Sequence, residues 1–367
     1  MNFNFTDKSF IIFNMKKLIL FFLLSCLIVG VHAVLGKSIQ ESESPNSWIW
    51  VHANDNRSEK EWRDVLTKIS DSGIEGILFG GSPEQVRNIA PLTKEFSLSL
   101  HAWMWGMNRP DLAEKHPEWL SVNQNGESIE DKKAYVDYYK FMCPAIPGVK
   151  DFLKELVEDY ASIEELDGIH LDYIRYVDVI LPTTLQPKYD INQDKAYPEW
   201  DYGYHPYLVE KYKSEYGIDP LTLENPENDQ QWLQFRFDQV TEVVDELTTL
   251  AHNRGKLISS AVFPSPSMSR EMVYQDWGKW KLDFYFPMVY HNFYNAELDW
   301  VGEQLKEGVE TVDGDVFGGM FIPAFSEKGE LKKALEIAEE NGAKGISIFD
   351  YNSVKDHQWE EIKSALK

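Results

Sequence analysis

Eight short apolar runs alternate along this chain with amphipathic stretches, and that alternation restricts the fold more than any other feature. The runs span 48–53, 74–80, 97–105, 167–174, 257–263, 283–290, 316–324 and 345–351. Between them lie helical patterns with polar starts and glycine stops. In 58–73, Ser58 is placed to cap a helix and Gly73 to end it, and 327–342 stops the same way at Asn341-Gly342. Both patterns feed directly into the next apolar run. A helix–glycine–buried strand unit repeated to a count of eight predicts the α/β class, as a (β/α)8 TIM barrel. A doubly wound open sheet is the alternative, but no glycine-rich phosphate loop follows the first strand.

The 367 residues exceed the roughly 250 that one barrel needs. The excess begins at the amino end. Residues 15–33 carry Lys16 and Lys17, an unbroken apolar stretch and a small-residue end at Val31-His32-Ala33. That is the grammar of a cleaved export signal, with Met15 as a plausible true start. The rival reading is a lipoprotein signal, because Leu-Leu-Ser-Cys ending at Cys26 resembles a lipobox; the apolar run continues past it to Val31, which favours ordinary export. The expected division is a signal peptide over 1–33, a polar linker over 34–47 and one catalytic barrel over 48–367. The expected location is periplasmic, extracellular or at the cell surface. No later segment is apolar for long enough to span a bilayer. With Cys26 in the signal, Cys143 stands alone, so neither an intramolecular disulfide nor a cysteine metal site is expected.

The net charge is −24, and about −26 without the signal, which carries a net +2. Such a surface repels nucleic acid and anionic membranes. The chain also carries 12 Trp, 18 Tyr and 20 Phe, a heavy aromatic load that mostly serves core packing. Sugar rings stack on aromatic faces, so a surplus near strand ends suits a saccharide cleft. Two connections are too long for plain turns, Met104 to about Pro147 and Val177 to about Gln230. They follow the third and fourth strands, on the barrel face where active sites lie.

Chemistry concentrates in 166-LDGIHLDYIRY-176. Residues two apart on a strand share a face, so His170 and Asp172 point the same way, with Asp172 last at the open end. Taken alone, Asp172 is more readily a buried carboxylate holding Arg175 or a tyrosine hydroxyl; its strand-end position, the two long loops beside it and Arg175 three residues later favour a catalytic role. A glycosidase needs a second carboxyl group. Glu271, just after the fifth strand, is the first choice, as proton donor to an Asp172 acting as nucleophile or base, with Arg175 keeping Asp172 ionised. A solvated Glu271 paired with Arg270 or Lys279 fits the sequence equally well. Asp276 lies in the same segment, and Asp350 ends the eighth strand, where it suits a sugar hydroxyl contact. Further substrate-binding candidates at strand ends are His52, Asn54, His101, Trp103, Tyr290 and His291, together with Arg175. Any one of them alone is more often a core residue; their convergence on one rim is the signal. No His-Glu-x-x-His, Gly-x-Ser-x-Gly or P-loop is present, so no metal and no cofactor is expected.

The strand-four block begins like the Asp-Gly-x-Asp-x-Asp-x-Glu signature of chitinases, then departs from it at His170 and Ile174. Together with 101-HAWMWGMN-108, 116-HPEWLSVNQNGE-127, 142-MCPAIPGVKDFLKELV-157, 232-WLQFRFDQVTEVVDEL-247, 283-DFYFPMVY-290 and 345-GISIFDY-351, it resembles the bacterial family 10-like glycoside hydrolases. That resemblance implies an exported carbohydrate-active enzyme with a TIM barrel and a catalytic Asp at Asp172. The chain departs from the family at Val177, where a proline is usual, in the long loop that follows, and at Asp350. The resemblance leaves the sugar and the second carboxylate open. The expectation is a secreted glycoside hydrolase acting on a poly- or oligosaccharide. Its rivals are a non-catalytic carbohydrate-binding barrel and a polysaccharide lyase or esterase using His and Tyr.

Overall fold

A computed structural model describes residues 45–366. The expected signal peptide, Cys26 and the expected linker as far as Ser44 lie outside them. The eight expected strands all form: β1 (Ser47–His52), β2 (Gly76–Gly80), β3 (Ser99–Trp105), β4 (Gly168–Asp172), β5 (Leu257–Val262), β6 (Phe284–Pro287), β7 (Asp315–Phe321) and β8 (Gly345–Phe349). They pair in parallel and in chain order, and β8 closes on β1. The fold is a (β/α)8 TIM barrel.

Helices α1 (Glu59–Asp71), α2 (Pro83–Glu95), α3 (Pro147–Ala161), α4 (Pro206–Tyr216), α5 (Gln230–Asn253), α6 (Pro266–Val273), α7 (Leu298–Thr311), α8 (Glu330–Glu340) and α9 (Asp356–Ala365) connect and surround the strands. The start of α1 shows how local sequence fixes an element. The Ser58 hydroxyl accepts the Glu61 N–H, the Glu61 carboxylate accepts the Ser58 N–H, and Gly73 leaves the helix at φ +89°. Helix α4 lies inside the connection read as loop from the sequence. Pro206 opens it, Gly217 at φ +71° closes it, and its Tyr212 packs on Trp232 and Phe235 of α5. The two long connections bind each other: Tyr204 N–H donates to Val122 O (2.9 Å) and Gln124 N–H to Pro198 O (3.2 Å).

Inside the barrel the large side chains are aromatic. Trp48, Trp50, Trp103, Phe284, Phe286 and Phe317 form one cluster with Leu78 and Ala261. They fit because β2 presents glycine toward them. A Cβ on Gly80 would lie 2.4 Å from the Trp103 ring. Below the open end sit two histidines with no exposed surface, His101 and His170, each with Nδ1 2.9 Å from the Ser259 hydroxyl. His101 is therefore a core residue stacked on Phe284, not the substrate contact expected from its place on the third strand.

Burial holds both imidazoles neutral. It lowers His101 to about 4 and His170 well below its ordinary value. In the unfolded chain both take up a proton near pH 6.5, so the unfolded state binds more protons between that pH and the folded values. Stability is then complete above about pH 6.5 and falls as pH drops toward 4, by about 3 kcal/mol for His101 alone. Urea unfolding at pH 7 and pH 4.5 is expected to show a smaller acid loss in His101→Gln than in the wild type; equal losses would contradict this account.

Candidate active site

The carboxyl ends of the strands open into a cavity of about 380 Å³. Trp50, Met288 and Phe349 line it from the barrel. The connection after β3 contributes Tyr138 and Tyr139, the connection after β4 contributes Tyr173, Arg175, Asp178 and Tyr189, and Tyr290 and Tyr294 follow β6. Aromatic side chains thus make up much of the lining, with a few charged groups among them, as in small-molecule sites generally.

Asp172 ends β4 and lines this cavity. Its Oδ2 accepts the Trp103 indole N–H at 3.0 Å, and its Oδ1 accepts the Tyr173 backbone N–H at 2.7 Å. The second bond is made by a backbone turned into the left-handed region, with Tyr173 at φ +49°, a conformation that is uncommon and strained for a bulky residue. Burial raises the Asp172 carboxyl above its ordinary range. The two hydrogen bonds and, least of all, the charge of Arg175 pull the other way without cancelling it.

Arg175 is not the partner of Asp172 that the sequence suggested. Its Nη1 donates to Asp178 Oδ2 (3.1 Å) and to Tyr176 O (2.8 Å), and its Nη2 reaches the Tyr139 hydroxyl at 3.5 Å. The guanidinium packs among the rings of Phe141, Tyr173 and Phe263. The reason is the turn after Asp172, which sends Arg175 toward the loop wall.

Tyr290 lines the cavity. Burial, then the charge of Asp172, then that of Asp350 push its hydroxyl well up, so it stands within electrostatic reach of both carboxylates. Asp350 lies beside the cavity, its Oδ1 accepting the Ser353 N–H (3.2 Å) and hydroxyl (2.5 Å) and its Oδ2 3.6 Å from His52 Nε2. The half-exposed His52 ring leans edge-on against Trp103. Trp103 supports Asp172 from below. Glu271 is not brought to the cavity: it sits on the exposed side of α6, while Met272 and Val273 of that helix pack inward with Phe263. Asp276 is bound by Arg270 and Lys279. No group of three or more His, Cys, Asp or Glu is gathered to hold a metal among the described residues.

The residues unforeseen from sequence are Asp178, Tyr138, Tyr139 and Trp50. Asp178 follows Arg175 by three residues, a spacing that signals pairing only on a helix, and this segment is loop. The adjacent tyrosines 138 and 139 in a long connection were the one visible hint.

A family model described as glycosyl hydrolase-like 10 matches residues 82–320. No curated protein sequence matches the chain. Among solved structures, the PgaB (BpsB) glycoside hydrolase domain from Bordetella bronchiseptica superposes with a TM-score of 0.62 at 12% identity, over 88% of this chain and 99% of that one. A β-galactosidase from the psychrophilic Marinomonas ef1 gives 0.63 at 11% identity, over 88% of this chain and 59% of that one. A class V chitinase from Pseudomonas fluorescens Pf-5 gives 0.51 at 11%, over 88% and 100%. At these identities the likeness is one of fold.

Proposed function

Because the chain belongs to the glycosyl hydrolase-like 10 family, we propose that it is an exported glycoside hydrolase acting on a poly- or oligosaccharide. The observation that carries this reading is Asp172, a carboxyl group at a β4 terminus whose pKa is raised by burial in an aromatic-lined cavity. A carboxyl held above its ordinary range by burial suits a general acid. Asp172 is then the proton donor to the glycosidic oxygen as the bond to the anomeric carbon breaks, in place of the role of nucleophile or base expected when Arg175 was its partner. Tyr290, His52, Asp350 and Arg175 supply hydroxyl contacts around the ring.

The first test is a screen of 4-methylumbelliferyl glycosides and polysaccharides with product masses read by mass spectrometry. Products gained by addition of water support the reading. Unsaturated products would mean a lyase, deacylated ones an esterase, and oligosaccharide binding without turnover a non-catalytic barrel; each would overturn it.

Tyr138 supports an extended substrate. It is 45% exposed and, among the exposed large apolar side chains described, it alone lines the cavity. Its ring leans on Trp105 and Tyr139, which leaves an aromatic face at the mouth for a sugar beyond the cleavage point. Tyr138→Ala is expected to raise KM for long chains about two- to tenfold, from the roughly 0.5–1.5 kcal/mol of an aromatic contact, and to leave single-sugar aryl glycosides unchanged. Equal effects on both substrates would contradict the outer-subsite role.

A further inference from the structure

The hydrolysis proposed above needs a second carboxyl group, and Glu271 does not line the cavity. Asp178 does. It is 3% exposed, yet it is not sealed in the core. Arg175 Nη1 holds its Oδ2 at 3.1 Å, while its Oδ1 has no hydrogen-bond partner among the described residues and is not among the fully covered polar atoms. An arginine fork can take both oxygens of a carboxylate. Here it takes one, and the other is free in a side chain that lines the cavity. A mere counter-ion for Arg175 would need no place on the cavity wall.

The segment that carries Asp178 is fixed on both sides. Tyr135 donates its hydroxyl to Asp178 O (2.7 Å), Tyr176 N–H donates to Val273 O (3.2 Å) and Val179 N–H to Met272 O (2.8 Å). Arg175 is itself set by three rings and the Tyr176 carbonyl. Asp178 is therefore a positioned carboxyl group that lines the same cavity as Asp172.

We infer that Asp178 is the second catalytic carboxylate, the base that activates water in the glycosidase reaction; this rests on the function proposed above. The bond from the anomeric carbon to the glycosidic oxygen breaks with its electron pair going to that oxygen, which takes the proton of Asp172. The water oxygen bonds to the anomeric carbon, and the water's proton passes to Asp178. One proton is given and one taken, and no other reactant is required.

The test uses the full chain and the 4-methylumbelliferyl glycoside that the wild type cleaves fastest. Asp178→Asn and Asp178→Ala are expected to lower kcat by about 10²–10⁴-fold, the range for loss of a general base. Sodium azide is expected to restore turnover of Asp178→Ala and give a glycosyl azide, because a small anion can stand where the carboxylate was. A kcat within about threefold of wild type in a folded variant, or a loss that azide does not relieve, would overturn the inference and leave Asp178 as the counter-ion of Arg175. Should these two variants fail to fold, Asp178→Glu keeps the charge opposite Arg175 but moves the carboxylate, and an unchanged kcat in it overturns the inference equally. If the wild type cleaves no glycoside, the functional reading falls and takes this one with it; if the wild type cleaves and the Asp178 variants match it, this inference falls alone.

Discussion

Asp172→Asn is expected to cut turnover of a sugar substrate severely while the chain still folds. The fall in kcat/KM should be about 10²–10⁴-fold on natural linkages, the usual worth of a general acid. It should be smaller on a 2,4-dinitrophenyl glycoside, whose leaving group departs without protonation. The cost to the fold is separate and modest. Asp172 accepts one hydrogen bond on each oxygen, from Trp103 and from Tyr173. An asparagine has a single acceptor oxygen, so one of these donors would face an NH2 group, at about 1–3 kcal/mol. The pH profile gives an independent reading. Burial raises the Asp172 pKa, so the active protonated form persists above the ordinary carboxylate range near 3.9, and activity declines as pH rises through the raised value. That alkaline limb should be absent from the residual activity of the variant. Unchanged turnover in Asp172→Asn would remove Asp172 from the mechanism.

The parts of this molecule written in local sequence were legible, and the parts that depend on where a loop turns were not. Strand β4 could be placed, with Asp172 at its open end, because alternation along a strand fixes which residues share a face. The same rule failed for His101. It shares a face with Trp103, but it starts two residues lower, and Gly168 opposite leaves the space that seals it: a Cβ there would sit 2.4 Å from His101 Nε2. Depth along the barrel axis follows from the register between strands, which one strand does not encode. Arg175 and Glu271 missed for a second reason. Each lies past a strand end, and its direction follows from a backbone torsion, positive φ at Tyr173 in one case and the packing face of α6 in the other. Asp178 was invisible for the same cause, since only the fold of its loop shows that Arg175 turns to it.

A buried charge pair ties α5 to the connection after β4, and its loss is expected to be the most damaging to stability. Arg236 of α5 has no exposed surface, and its Nη1 reaches both oxygens of Asp201, at 2.9 and 2.8 Å. Asp201 also accepts the Tyr274 hydroxyl (2.9 Å) and the Gly203 N–H (3.2 Å). The guanidinium lies 4.0 Å from the centre of the Tyr274 ring and 5.0 Å from that of Trp232. One cluster therefore joins α5, the segment after β5 and the connection after β4. Arg236→Met leaves the Asp201 charge buried without its partner, at about 3–5 kcal/mol. Arg236→Met/Asp201→Asn removes the orphaned charge and keeps an acceptor for Tyr274 or Gly203, so it should recover part of that loss in a denaturant titration. A double variant no more stable than Arg236→Met would show that shape, not charge, is what the pair supplies. The effect should also reach the site. Tyr202, next to Asp201, donates its hydroxyl to Lys132 O at 2.7 Å, in the connection that carries Tyr138 and Tyr139. Loosening Asp201 is expected to free that wall before it unfolds the barrel. At temperatures where Arg236→Met is still folded, KM for long chains is thus expected to rise more than kcat falls, as loss of an outer wall rather than of the reacting groups.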